Sequence, residues 1–250
     1  MNRLTITKFP AASYAVQEAI NTLCTNLSFS GSKVKKIVIT SSHAAEGKSF
    51  LMMSIMRTMA KFGKKVAFVD ADLRRSYVAA KFGLCFDDPE QDVGLAHYLA
   101  GMTDLDSIIC STDIENAWMV PVGRAVSNPL PLLNTELFRQ LLDHLAENLD
   151  YVFVDTPPVG VVIDAAEIAK SCDGILIAVD YDTVSGRELA EVKKQLEQTG
   201  CPLLGVVLNR VEMDNYMSKK YYYRSRYSHY NDYYGEPHHS EARKKPKRRK

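Results

Sequence analysis

The stretch from Lys36 to Ser49 constrains the fold of this 250-residue chain more than any other. It begins with three consecutive β-branched apolar residues, Ile37 to Ile39, which favour a buried strand. It ends in Gly47-Lys48-Ser49, and the residues that follow, up to Phe62, have the pattern of a helix. A strand, a short loop and Gly-Lys-Ser at the start of a helix together predict a phosphate-binding loop.

The residue types in this loop fit the chemistry of phosphate binding. Backbone N–H groups at the start of a helix point at an anion, and the helix dipole favours negative charge there. Lys48 can reach the β- and γ-phosphates of a nucleotide, and the Ser49 hydroxyl can hold Mg²⁺. The usual pattern has glycine six residues before the lysine, where this chain has Ser42. A strand–turn–helix corner without phosphate binding therefore stays open on this motif alone.

Acidic residues follow two further predicted strands. The run Val66 to Asp70 leads into Asp72, and the run Tyr151 to Asp155 leads into Thr-Pro-Pro. Ligands of open α/β sheets bind at the carboxyl ends of the strands, so these carboxylates are expected beside the phosphate-binding loop. There they could orient Mg²⁺ through its water molecules or accept a proton from an attacking hydroxyl. Each aspartate alone could be a helix N-cap, but the three features in this order predict Mg-nucleotide binding.

The predicted strands alternate with helices, and most strands are continuous apolar runs. This pattern predicts an α/β, P-loop NTPase-like fold with a mainly parallel sheet and helices on both faces. Residues 1–31 are predicted to form an N-terminal helical segment that packs on the core, and residues 32–215 the P-loop domain. The five cysteines are scattered, without a C-x-x-C pair, which favours reduced thiols. No apolar run approaches the length of a membrane span.

Residues 216–250 differ in composition from the rest of the chain. They contain eleven Lys or Arg and three Asp or Glu, a net charge of +8, so the remainder has a net charge of −7. Aliphatic residues are nearly absent, and we predict a disordered tail because such a segment buries too little apolar surface. Its basic end, Arg243 to Lys250, could contact anionic lipid or simply be solvated, and no nucleic-acid partner is expected. Its tyrosines are Tyr216, Tyr221, Tyr222, Tyr223, Tyr227, Tyr230, Tyr233 and Tyr234.

These motifs together resemble the bacterial tyrosine kinases, P-loop kinases that govern capsule and exopolysaccharide synthesis. Glu46-Gly47-Lys48-Ser49 resembles the end of the family's Walker A motif. Val66 to Arg74 is similar to its second motif, a hydrophobic strand followed by Asp-x-Asp-x-Arg, and Val152 to Pro158 is similar to its Walker B motif. Gly205 to Arg210 resembles the strand end whose asparagine meets adenine. The tyrosine-rich tail resembles the family's autophosphorylation segment.

The resemblance implies a protein-tyrosine kinase that uses ATP and Mg²⁺ and phosphorylates its own tail tyrosines. It implies that Asp70 is the base for the tyrosine hydroxyl and that Asp72 and Asp155 support the Mg²⁺ shell. The implied catalytic residues are Lys48, Asp70, Asp72 and Asp155. The implied nucleotide contacts are Glu46, Gly47, Lys48, Ser49, Phe50, Asn209 and Arg210. The implied metal ligands are Ser49, Asp70 and Asp155.

The resemblance also implies partners. This chain lacks the transmembrane segment that some members carry, so it resembles the split form, which needs a separate transmembrane activator. The activator, of the polysaccharide chain-length type, would act through its cytoplasmic tail and hold the cytoplasmic kinase at the inner face of the membrane. Self-association would bring the tail of one subunit to its neighbour's site, with other protein tyrosines as further substrates. In the family, a glutamate of the N-terminal helix is followed by two arginines that pack a ring; here Glu18 is followed by Asn21 and Cys24.

Two other functions stay open. One is an ATPase switch of the partition or cell-division type, although those proteins carry a second lysine where this chain has His43. The other is a nucleotide-binding regulator without kinase activity. It is suggested by Asn21, by Cys24 and by Ala44-Ala45, which replaces the family's usual Pro-Gly.

Overall fold

The computed structural model describes residues 2–9, 11–88, 93–181 and 183–211. Within these ranges one sheet contains nine strands. The strands are β1 (Asn2–Ile6), β2 (Lys36–Ser41), β3 (Val66–Asp70), β4 (Leu84–Phe86), β5 (Cys110–Thr112), β6 (Ala117–Val120), β7 (Tyr151–Asp155), β8 (Gly174–Asp180) and β9 (Leu203–Asn209). The helices are α1 (Tyr14–Ser28), α2 (Lys48–Lys61), α3 (Val78–Phe82), α4 (Leu95–Leu99), α5 (Leu130–Leu133), α6 (Glu136–Asn148), α7 (Asp164–Ala169) and α8 (Gly186–Glu197).

The strands are arranged in the order β4-β1-β5-β6-β3-β7-β2-β8-β9. The six neighbouring strands β6-β3-β7-β2-β8-β9 all pair in parallel. The antiparallel pairs within the described sheet are β1 with β4 and β5 with β6. The predicted α/β architecture with a mainly parallel sheet is confirmed. Because β2, β3 and β7 are adjacent and parallel, their carboxyl ends lie at one edge of the sheet, where the motif residues were expected to meet.

The core consists of two layers, one on each face of the sheet. Side chains alternate between the layers along each central strand, so Val38 packs with α6 and α7 whereas Ile37 and Ile39 pack with α1 and α2. A row of four fully buried methionines on α2 fills the second layer: Met52, Met53, Met56 and Met59. Helices on both faces bury the central strands on both sides, which explains why these strands are continuous apolar runs.

The N-terminal residues contribute a strand as well as the predicted helix. β1 pairs with β4 and β5, and none of these three short strands is evident from the sequence. In α1, Cys24 is fully buried against the core, and Asn21 donates a hydrogen bond to the Glu18 carboxylate at 2.9 Å. A side chain at position 24 therefore faces the interior of the subunit.

The segment between β6 and β7 contains a break in its helical structure. The structure has two helices, α5 and α6, because the chain turns at Asn134-Thr135 between them. Thr135 has an extended backbone and is the N-cap of α6, which explains the break. The short helix α5, which contains Pro131, is therefore separate from the strongly amphipathic α6, which packs on the sheet.

Chain contacts divide the protein into one compact unit, Met1–Asn209, and a second, Arg210–Lys250. The predicted tail, with its eight tyrosines and its basic end, lies outside the described residues. None of the described helices combines the length and apolar character that a membrane crossing requires.

Candidate nucleotide and magnesium site

The phosphate loop, Ser42–Gly47, connects β2 to α2 and is held by the Glu46 side chain. This carboxylate is buried and accepts hydrogen bonds from the backbone N–H groups of His43, at 2.8 Å, and Asp180, at 3.3 Å. The Glu46 carbonyl oxygen accepts a hydrogen bond from the Asn209 side-chain amide at 2.9 Å. Glu46 therefore fixes the shape of the loop and joins it to the ends of β8 and β9.

Gly47 is required by two features of the loop. Its φ of 86° lies in the left-handed region, which glycine adopts without steric cost. A Cβ atom at this position would lie 2.0 Å from the side-chain nitrogen of Asn209. Gly47 and Asn209, two residues that are predicted to contact the nucleotide, are therefore in direct contact with each other.

Ala45 also has a left-handed backbone, with a φ of 65°, although it carries a Cβ atom. This conformation costs an L-residue roughly 1–2 kcal/mol. Part of the phosphate loop is thus strained, and the strain is located at the position where the family that this chain resembles usually has glycine.

We expect Ala45→Gly to raise the free energy of unfolding by about 0.5–1 kcal/mol. The glycine removes the left-handed strain, and its larger unfolded-state entropy offsets only part of that gain. Thermal denaturation measures the effect. Ala44→Gly is the matched control because Ala44 is equally exposed and its φ is not positive, so this change should lower the melting temperature. A lower melting temperature for Ala45→Gly would contradict the prediction.

Lys48 is the first residue of α2, and its ammonium group is directed towards Ser41 at the end of β2. Its Nζ donates a hydrogen bond to Ser41 Oγ at 2.8 Å, and Ser41 Oγ donates to the His43 carbonyl at 2.6 Å. The side chain is only 8% exposed, and burial lowers its pKa, although the negative charge of Asp155 acts in the opposite direction. The cation is therefore weakly hydrated and close to the acidic strand ends, as binding to phosphate requires.

Asp70 and Asp155 form a buried carboxylate pair at the ends of β3 and β7. They are direct partners in the parallel register of the two strands, and both are almost fully buried. Burial, and then the charge of Asp155, raise the pKa of Asp70 well above its usual 3.8. Burial raises the pKa of Asp155 to about 6, against the opposing effects of Ser49 and Lys48. Two adjacent acids in this environment strongly favour a bound cation or proton.

One oxygen of each carboxylate is held by a hydroxyl. Ser49 Oγ donates to Asp155 Oδ2 at 2.7 Å, and Ser76 Oγ donates to Asp70 Oδ2. The other oxygens, Asp70 Oδ1 and Asp155 Oδ1, are buried without a hydrogen-bond partner among the described residues. Buried polar atoms are normally satisfied, so these two oxygens fit a ligand of positive charge. With the Ser49 hydroxyl they form the all-oxygen set that Mg²⁺ prefers.

The remaining predicted residues are distributed around this pair. Asp72 follows β3, accepts a hydrogen bond from the Arg75 backbone N–H at 3.0 Å, and acts electrostatically on Lys48 and Asp155. Phe50 lies in the first turn of α2. Arg210 belongs to the second unit of the chain, and its role stays a prediction, as do the individual roles of the other site residues.

Sequence reasoning missed three polar residues that the structure brings to the site: Ser41, Ser76 and Asp164. Ser41 holds Lys48, Ser76 holds Asp70, and Asp164 accepts two hydrogen bonds from Arg74. For Ser41 and Ser76 the signal in the sequence was proximity, because each lies within seven residues of the side chain that it contacts. Asp164 gave no such signal.

Comparison with known proteins identifies the protein family of this chain. A family model described as "AAA domain" matches residues 34–200. The tyrosine-protein kinase CpsD of Streptococcus pneumoniae is 38% identical over 197 residues, which are 79% of this chain and 85% of CpsD.

Solved structures agree with this match. The kinase domain of the Escherichia coli tyrosine kinase ETK superposes with a TM-score of 0.74 at 30% identity, over 81% of this chain and 79% of that domain. The chimerical protein CapA2B2 gives a TM-score of 0.74 at 31% identity, over 83% of this chain and 92% of the chimera. The septum site-determining protein MinD of Pyrococcus horikoshii, solved with Mg-ADP, has the same fold at 22% identity, with a TM-score of 0.59 over 72% of each chain. With its phosphate loop, its paired carboxylates and these relatives, the chain belongs to the bacterial tyrosine-kinase family.

Proposed function

We propose that this chain is an ATP-dependent protein-tyrosine kinase that phosphorylates the tyrosines of its own C-terminal tail and acts in capsule or exopolysaccharide synthesis. The observation that carries the proposal is that the buried Lys48 lies near Asp155, whose carboxylate is paired with that of Asp70, and that one oxygen of each carboxylate lacks a hydrogen-bond partner among the described residues. The activity is the one that the names of CpsD and ETK state for those proteins.

In this proposal Lys48 and the backbone N–H groups from Glu46 to Phe50 bind the nucleotide phosphates. Ser49, Asp70 and Asp155 hold Mg²⁺, with Asp72 supporting its water shell. The bound ion would neutralise the negative charge of the phosphates. Asn209, whose amide donates to the Glu46 carbonyl, faces the base of the nucleotide. The two buried carboxylate oxygens that lack a hydrogen-bond partner among the described residues support this assignment.

The chemical step is the attack of a tyrosine hydroxyl oxygen on the γ-phosphorus. A new P–O bond forms, the bond from the γ-phosphorus to the bridging oxygen breaks, and ADP leaves. Asp70 accepts the hydroxyl proton, a role that suits a carboxylate made more basic by burial. Catalysis then consists mainly of positioning and charge stabilisation, as phosphoryl transfer requires.

The partners follow from the same family. The chimerical protein CapA2B2 is matched over 92% of its length, and CpsD is named a tyrosine-protein kinase. We infer a separate transmembrane activator whose cytoplasmic tail supports the nucleotide site and keeps the kinase at the inner face of the membrane. Self-association supplies the tail of one subunit to the site of another. The buried position of Cys24 means that α1 would need other residues to build the contact between subunits.

The test of this function replaces the eight tail tyrosines with phenylalanine and measures phosphotyrosine after incubation with Mg-ATP and the activator's cytoplasmic tail. The phosphotyrosine signal of the purified protein should be lost, while the affinity for a fluorescent ATP analogue should stay within twofold. Tyr14→Phe is the matched control, because Tyr14 is 63% exposed but lies outside the tail, and its signal should persist. ATP hydrolysis without phosphotyrosine in the wild type would instead favour an ATPase switch. Nucleotide binding without either reaction would favour a regulator.

A further inference from the structure

A bidentate ion pair joins the loop after β3 to the start of α7. Arg74 Nε donates to Asp164 Oδ2 at 2.6 Å, and Arg74 Nη2 donates to Asp164 Oδ1 at 3.0 Å. The Asp164 side chain is only 1% exposed, and that of Arg74 is 31% exposed. Arg74 Nη1 also donates to the carbonyl oxygen of Ser127 at 3.3 Å. One guanidinium group therefore connects three segments that are distant in the sequence.

The first of these segments, which we call the acidic loop, runs from Ala71 to Ser76. It carries Asp72, and its Ser76 hydroxyl donates to the Asp70 carboxylate. Two backbone hydrogen bonds also anchor the loop: the Ala71 N–H donates to the Asp155 carbonyl at 2.9 Å, and the Leu73 carbonyl accepts from the Val126 N–H at 2.7 Å. The orientation of two site carboxylates thus depends on a short loop that is held by the Arg74 ion pair, by the buried Leu73 side chain and by two backbone hydrogen bonds.

The second segment is the connection from β7 to α7, which is fixed to the phosphate loop. The Val159 backbone N–H donates to the Ser41 carbonyl at 2.9 Å, and a Cβ atom at Gly160 would lie 2.3 Å from the Ser42 carbonyl oxygen. Asp164 follows this connection as the first residue of α7. A hydrogen bond to Asp164 therefore links the acidic loop to the segment that is fixed to the phosphate loop.

We infer that Asp164 is a positioning residue for phosphoryl transfer, which acts through Arg74 to hold the acidic loop in register with the phosphate loop. This inference rests on the proposed roles of Asp70 and Asp72 at the metal. With the ion pair intact, Asp72 and Ser76 keep their places relative to Lys48. Without it, the acidic loop keeps its backbone hydrogen bonds to Val126 and Asp155 but loses its side-chain ion pair to the start of α7.

The chemistry of the pair explains why these residue types are needed. The planar guanidinium presents parallel N–H groups that match both oxygens of one carboxylate, which gives directional restraint that a lysine would not give. The Asp164 carboxylate is buried, so removal of either partner leaves an uncompensated polar or charged group. Replacement of both partners by amides removes that cost while still removing the bidentate restraint.

The test compares Asp164→Asn with the double variant Arg74→Gln/Asp164→Asn in the full chain. We expect Asp164→Asn to lower the melting temperature and to reduce the initial rate of phosphotyrosine formation about 10- to 100-fold, since small displacements of catalytic groups have effects of this size. The Mg²⁺ concentration for half-maximal rate should rise several-fold. In the double variant the melting temperature should recover, while the rate and the Mg²⁺ dependence should not. Lys170→Gln is the matched control, because Lys170 is the C-cap of α7 and its exposed side chain pairs with Glu167 away from the ion pair under test, so neither readout should change.

Recovery of the rate together with the melting temperature in the double variant would show a purely structural role and overturn the inference. A wild-type rate and Mg²⁺ dependence in Asp164→Asn would overturn it as well. Asp70→Asn in the same assay separates this result from a failure of the proposed function. If Asp70→Asn is inactive while both Asp164 variants behave as wild type, only the positioning role is wrong. If Asp70→Asn is fully active, the proposed base is wrong.

Discussion

Replacement of Lys48 by methionine is expected to reduce phosphotyrosine formation by about 100-fold or more, the scale seen when a single charge-stabilising donor is removed from a transition state. The ammonium group lies at the start of α2, is largely buried, and is near the carboxylates of Asp155, Asp72 and Glu46. A methionine fills a similar volume but cannot offset the charge of the γ-phosphate. Nucleotide affinity should fall in parallel, and binding of a fluorescent ATP analogue measures that effect separately from the rate.

The matched control is Lys61→Met. Lys61 lies in the last turn of the same helix and is exposed to solvent, so this variant makes the same chemical change far from the phosphate loop. It should keep the wild-type rate and lose at most a few tenths of a kcal/mol of stability from its favourable position at the helix C-terminus. Equal rates of phosphotyrosine formation for Lys48→Met and the wild type would show that Lys48 does not contribute to phosphoryl transfer.

Local motifs made the nucleotide site predictable from sequence. The elements that build it are continuous apolar strands followed at once by polar groups, so strand, loop and side chain are specified within a few residues. The parallel order of β2, β3 and β7 then requires their carboxyl ends to meet. That geometric rule explains why Lys48, Asp70 and Asp155 could be placed together without knowledge of the coordinates.

The features that sequence reasoning missed depend on tertiary structure. β4 has three residues and β5 has three, too few to show a period, and β1 reads Asn-Arg-Leu-Thr-Ile without a clear apolar run. These strands exist because they extend an existing sheet rather than through their own propensity. Arg74 and Asp164 are 90 residues apart, so no local pattern could relate them.

The buried carboxylate pair also implies a conflict between stability and function. Functional sites often hold groups that destabilise the fold, because the ligand rather than the protein compensates them. In this site the groups are two acids whose burial opposes ionisation. For Asp155, the rise in pKa from 3.8 to about 6 corresponds to roughly 3 kcal/mol in favour of the protonated folded form. The metal-free protein should therefore become more stable when one of the acids is removed.

We expect Asp70→Asn to raise the unfolding free energy of the metal-free protein by about 1–3 kcal/mol at pH 8 while abolishing phosphotyrosine formation. The pKa of Asp70 is higher in the folded state than its usual 3.8. Its contribution to stability is therefore fully present below about pH 4 and is lost as the pH rises through the folded pKa. Asparagine has no such loss and can still accept the hydrogen bond from Ser76. The two proteins should have similar stability at pH 4 and differ most at pH 8.

Chemical denaturation at several pH values, with and without Mg²⁺, measures this difference. Added Mg²⁺ should stabilise the wild type more than Asp70→Asn, because binding to the folded state alone raises its stability and the variant has lost one ligand. Asp106→Asn is the matched control: Asp106 is exposed and lies outside the site, so this variant should keep the wild-type response to Mg²⁺. A variant that is less stable than the wild type at pH 8, or whose advantage is the same at pH 4 and pH 8, would show that the Asp70 carboxylate carries no destabilising charge. The two unpartnered oxygens would then need an explanation other than a cation, and the magnesium site proposed from them would be wrong.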